Sequence, residues 1–233
     1  MSLRTAAIAA TLAAALLAGC ETTQQESAKI ARALGHRRAD PGTTTIARSN
    51  AEVHVVRAAL LAGSPAAVAL ELVNDGAFAQ SAIPIAIEVR DAAGDVAYRN
   101  DTHGIEPSLQ QLGLLGAHRT AWWVDNEVLA AGRPAAVSAL IGAGAAAADP
   151  SASAGAAVAS DGFPGPHVDV TLRNGGRRAL RELAVYAVAL RGGRVVGAGR
   201  ALVASLAPGA AATALVPMTG AVDGARVAVS VAG

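Results

Sequence analysis

The chain has 233 residues, a formal net charge of +1, 52% hydrophobic residues and only 3% aromatic ones. A charge balance this close to neutral excludes the strongly basic class of nucleic-acid binders, and no nucleic-acid partner is expected. A single cysteine excludes an intramolecular disulfide, and the scarcity of aromatics leaves Val, Leu, Ile and Ala to build the cores, which predicts modest stability.

The chain opens with Met1-Ser2-Leu3-Arg4, followed by an uncharged Ala- and Leu-rich run from Ala6 to Ala18 and small residues before the single cysteine, Cys20. This is the layout of a secretory signal, and the run is too short to span a bilayer. Leu17-Ala18-Gly19-Cys20 resembles the lipobox of bacterial lipoproteins. The resemblance implies removal of residues 1–19, a diacylglyceryl group on the Cys20 thiol and membrane lipid as a partner. An ordinary signal peptide cut at an Ala-x-Ala site, with Cys20 an incidental thiol, is the alternative. Two or three acyl chains, at about 0.8 kcal/mol per buried methylene, make a permanent anchor. The folded part is then expected outside the cytoplasm, lipid-anchored to the bacterial cell membrane.

Residues 20–49 are polar and lack strand alternation, which predicts a flexible tether with an end-to-end distance of roughly 30 Å. A second stretch of small residues, 144–155, reads as a linker, because it offers no large apolar side chain to bury. Two domains follow, 50–143 and 156–233, each expected to fold on its own. Residues 50–149 carry eleven acids and five bases, and residues 156–233 carry four acids and eight bases.

The two halves repeat one pattern at an offset of one hundred residues. Leu70-Glu71-Leu72-Val73-Asn74-Asp75-Gly76 matches Val170-Thr171-Leu172-Arg173-Asn174-Gly175-Gly176, and Ile83, Ile85, Ile87 and Val89 match Leu183, Val185, Ala187 and Ala189. Alternation places each apolar set on one face of a strand. Asn-Asp-Gly and Asn-Gly-Gly read as turns whose residues tolerate positive φ. Asp91-Ala92-Ala93-Gly94 and Arg191-Gly192-Gly193-Arg194 read as hairpins. Many short strands with turn signals and no long helix predict an all-β chain of two tandem antiparallel β-sandwiches. Strand, Asn-x-Gly turn, strand, Asp-x-x-Gly hairpin and Leu-x-Pro-Gly turn together resemble the FxLYD-type and related immunoglobulin-like domains of bacterial envelope proteins. Ile87-Glu88-Val89-Arg90-Asp91 stands where that family has Phe-x-Leu-Tyr-Asp, so only the aspartate is kept, and Arg191 replaces it in the second repeat. The resemblance implies an immunoglobulin-like architecture and transfers no catalytic residue.

No nucleophile elbow, phosphate loop or dinucleotide fingerprint is present, and none of the five histidines stands at metal-ligand spacing from another. Neither an enzyme nor a cofactor or metal is expected. The first repeat departs from the second in one insertion, 99–111, read either as a plain insertion with its own small hydrophobic plug or as a displayed binding loop carrying His103, Ile105 and Leu109, and in the pair Trp122-Trp123. Adjacent strand residues face opposite ways. Trp122, aligned with Leu215, is expected to point outward, either as a contact for an unidentified envelope protein or covered by the neighbouring domain or a loop of its own, and Trp123 to point inward. Trp122→Ala would then weaken partner capture and leave the melting temperature unchanged. The predicted role is a non-catalytic interaction or structural module of the cell envelope. The alternative is a carrier or sensor of a small ligand, bound between the domains or at the 99–111 loop.

Overall fold

Wherever apolar and polar residues alternate in this chain, a strand forms, and every pairing among the described residues is antiparallel. The computed structural model describes residues 46–149, 152–162 and 165–233. The signal segment 1–19, Cys20 and the tether as far as residue 45 lie outside these described residues. In the first sandwich, β1 (Val53–Leu61), β2 (Ala66–Asn74) and β6 (Arg119–Val128) form one sheet in the order β1-β2-β6. The facing sheet is organised by β3 (Ala79–Asp91), which pairs with β4 (Val96–Arg99) and β5 (Gln111–Leu115), and also with β7 (Pro134–Ile141) and β8 (Ala145–Ala147). Leu70 and Leu72 on β2, and Ile83, Ile85, Ile87 and Val89 on β3, fill its core.

The second sandwich is one curled sheet in the order β14-β11-β12-β13-β10-β9. Its strands are β9 (Ala152–Ser160), β10 (His167–Asn174), β11 (Leu180–Arg191), β12 (Arg194–Leu206), β13 (Ala211–Gly220) and β14 (Arg226–Ala232). β12 and β13 join its halves only where Gly197, Ala198 and Gly199 meet Gly220, Thr219 and Met218. The crossing requires glycine: a Cβ on Gly199 would overlap the Pro217 carbonyl. The chain is thus an all-β sandwich fold, as the alternation predicts.

The hundred-residue repeat holds in detail. Asn74 and Asn174 are both fully buried. Asn74 Nδ2 donates to the Phe78 carbonyl at 2.9 Å and the Gly116 carbonyl at 3.0 Å, while its Oδ1 accepts from the Gly76 N–H at 2.9 Å. Asn174 Nδ2 donates to the Arg178 carbonyl at 2.8 Å and the Leu206 carbonyl at 3.0 Å, and its Oδ1 accepts from the Gly176 N–H at 2.9 Å. The asparagines therefore act through their side-chain amides, which close the turn as a backbone group would. They do not act through positive φ, which instead falls eight residues on, at Ala82 (49°) and Glu182 (52°). In the second hairpin, Gly192 (56°) and Gly193 (79°) supply the paired positive φ of a two-residue turn.

The stretch 144–155 contributes strand to both sandwiches, with Ala145–Ala147 as β8 and the chain from Ala152 in β9. Composition marks such a segment as a linker because it lacks side-chain volume, whereas ladder pairing uses only the backbone. Within the second sandwich, β11 is buried on both faces. Leu183, Val185, Ala187 and Ala189 belong to the core of their own sandwich. Ala184, Tyr186, Val188 and Leu190 belong to the cluster that contains Leu70, Trp122 and Val124 of the first. β11, β12 and β14 of the second sandwich pack against the first along β6, and the described residues form one compact unit.

Candidate functional site: the seam between the sandwiches and the 99–111 loop

The insertion is ordered by two buried amides. β4 pairs with residues 88–90 of β3 and β5 with residues 80–84, which leaves a gap along that edge. Asn100 fills it. Its Oδ1 accepts from the Ile87 N–H at 2.7 Å, and its Nδ2 donates to the carbonyls of Ile85 at 2.9 Å and Leu109 at 2.6 Å. Gln110 Nε2 then donates to the carbonyls of Asn100 at 2.7 Å and Thr102 at 3.2 Å. A 3₁₀ turn over Pro107–Leu109 buries Leu109, while Ile105 is half-buried and His103 is exposed. Of the loop residues singled out from sequence, Leu109 is therefore part of the packing and only His103 lies on the open surface.

The tryptophans do face opposite ways. Trp123 is fully buried opposite Leu70, and its Nε1 donates to the Ser108 carbonyl at 3.3 Å. Asp125, two residues on and on the same face, accepts from the Tyr98 hydroxyl of β4 at 2.8 Å, so this face is the interior of the first sandwich. Trp122 stands opposite Glu71 with the Arg57 guanidinium 5.8 Å over its ring, and Arg57 Nη1 donates to the Gly193 carbonyl of the β11–β12 turn at 2.7 Å. Trp122 thus points away from its own core, but the second sandwich covers it and leaves it 5% exposed. Of the two expectations, open contact and cover by the neighbouring domain, the first is corrected and the second holds. Its alignment is corrected too: Leu70 pairs with Trp123 as Val170 pairs with Ala214, so Trp122 corresponds to Thr213, two residues from Leu215. Counting between glycine turns missed the register that the strand ladders set.

The free edge of β6 is tied across the seam, where the Trp122 N–H donates to Ser230 Oγ of β14 at 2.8 Å. Ser230, Tyr186 and Arg200 form one row across β14, β11 and β12. Gly113 on β5 admits the end of β14, since a Cβ there would lie 3.2 Å from the Gly233 nitrogen.

Arg200 completes the seam. Its side chain is 4% exposed, and Nη2 lies 3.0 Å from both Glu106 Oε2 and Glu127 Oε1. Nη1 donates to Ser108 Oγ, and that hydroxyl donates to Glu106 Oε1 at 2.7 Å. Glu106 and Ser108 lie in the insertion, so the loop that distinguishes the first repeat grips an arginine of the second. Burial pushes the Glu106 carboxyl up, but hydrogen bonds from Arg200 and Ser108 outweigh it and hold the group below the usual carboxylate range. For Asp125, burial prevails over the Glu127 N–H and Tyr98 bonds and raises its pKa. Burial foremost also raises the Tyr98 and Tyr186 phenols, so both stay protonated at neutral pH. Sequence reasoning missed Arg200 because nothing local distinguishes it from the other arginines of the basic half. The acidic balance of 50–149 was the one available signal.

An open cleft of about 520 Å³ lies along the seam, lined by the Gly63–Pro65 turn, Asn126, Glu127, Met218 and Gly220. Among the described residues no three His, Cys, Asp or Glu side chains are grouped to hold a metal ion, and no helix is long and apolar enough to cross a membrane. No protein-family model matches the chain, and no curated protein matches it.

Proposed function

We propose that this chain is an exported lipoprotein, anchored through Cys20, whose two sandwiches act as one rigid, non-catalytic interaction or structural module of the bacterial cell envelope. The observation that carries the reading is Leu17-Ala18-Gly19-Cys20 at the end of an apolar run, with no second cysteine to pair with. The stacked, doubly buried sheet supports a module that presents surfaces in fixed relation. The resemblance to FxLYD-type envelope domains supports the same role. A second reading, a carrier of a small ligand, is favoured by the seam cleft, whose size suits a small molecule.

The anchor is tested by mass spectrometry of the protein recovered from a bacterial membrane fraction. An N-terminal Cys20 bearing diacylglyceryl mass is expected, and Cys20→Ser should move the protein from membrane to soluble fraction. A mature terminus elsewhere, with an unmodified thiol, contradicts the anchor.

A further inference from the structure

The second repeat departs from the first at the tip where β10 turns into β11. Residues 170–190 carry Arg173, Arg177, Arg178 and Arg181 against one carboxylate, Glu182. All four arginines are exposed, and among the described residues none of their guanidinium groups forms an ion pair or hydrogen bond. This contrasts with Arg57, Arg90, Arg99 and Arg200, each engaged with a carboxylate. The shared asparagine pin and the positive-φ residues fix the equivalence of the two tips. On that register the four positions are Val73, Ala77, Phe78 and Ser81 in the first repeat, so the shared fold does not require the charges there.

Asn174 presents the arginines from a stiff support: its amide holds the Arg178 carbonyl at 2.8 Å and the Gly176 N–H at 2.9 Å. Arg173 lies at the end of β10 and Arg181 at the start of β11, so the cluster spans both sheet halves at one end of the sandwich. We infer that this tip is a docking surface for the phosphodiester headgroups of an anionic membrane. Guanidinium forks suit phosphate oxygens bidentately, and basic clusters near an anionic leaflet are attracted to it. The choice of a lipid surface over other polyanions rests on the proposed Cys20 anchor, which holds the sandwiches within tether reach of headgroups. The tip also has no exposed aromatic side chain on which nucleic-acid bases could stack.

The test uses the full chain carrying Cys20→Ser, so that no acyl group contributes, and compares it with the same chain carrying Arg173→Gln, Arg177→Gln, Arg178→Gln and Arg181→Gln. Each is sedimented with vesicles of phosphatidylcholine alone and of phosphatidylcholine with phosphatidylglycerol. Phosphatidylglycerol should raise binding of the parent, added salt should abolish that increment, and the quadruple variant should lose at least about tenfold of it. Circular dichroism confirms that the variant is folded, as expected of surface positions. An increment that survives the four substitutions overturns the inference, as does parent binding that is equal on the two vesicles. Binding of the parent to a soluble polyphosphate but not to vesicles also overturns the lipid assignment. The anchor stands or falls separately, on the mass of the mature terminus.

Discussion

Trp122→Ala is expected to lower the free energy of unfolding by about 3–5 kcal/mol, as much as Trp123→Ala, although only Trp123 sits in the interior of its own sandwich. The indole of Trp122 is 5% exposed under the second sandwich, and it carries Arg57, which reaches on to Gly193. Truncation leaves a cavity between two sheets that cannot collapse without breaking the Ser230 tie next to it. Urea denaturation with an unchanged slope measures the loss. A change within about 0.5 kcal/mol, the range of ordinary surface substitutions, would mean that the two sheets do not meet in solution.

The second large effect is expected from Glu106→Gln combined with Glu127→Gln. Together they strand the Arg200 guanidinium, a desolvated charge with 4% exposure, and a cost of about 3–5 kcal/mol follows from leaving such a charge unpaired. Adding Arg200→Met should recover most of that loss, because the methionine keeps the packing and removes the charge. Failure of the third substitution to rescue would locate the loss in something other than a stranded charge. The pairing also sets a pH dependence. Glu106 has a lowered pKa in the folded protein, so its contribution is present above the unfolded carboxylate pKa and is lost as pH falls through the folded one. The Glu106→Gln, Glu127→Gln chain should lose that part of its acid sensitivity.

Much of the fold was legible because it rests on backbone periodicity. Ile83, Ile85, Ile87 and Val89 on β3, and their counterparts on β11, alternate in the sequence as they do in the two cores. The hundred-residue offset carries through to the buried asparagines and the positive-φ residues Ala82 and Glu182. What escaped is long-range. Ala184, Tyr186, Val188 and Leu190 occupy the second face of β11 and make its middle apolar throughout, which a one-layer reading treats as surplus. That run is the mark of a strand buried on both sides, and it announces a third layer. The strands β8 and β9 escaped because alanine, serine and glycine carry pairing without any hydrophobic signal. The insertion was legible as a departure from the repeat, but not its occupant. Arg200 lies far from Glu106 in sequence, and only the stacking of the sheets brings them together.

Differential scanning calorimetry of the whole protein tests the union of the sandwiches across the seam most directly. One transition is expected, with a calorimetric enthalpy equal to the van't Hoff enthalpy, and Trp122→Ala should lower its midpoint or split it in two. Two resolved transitions in the unmodified protein, with Trp122→Ala moving neither, would contradict the shared seam.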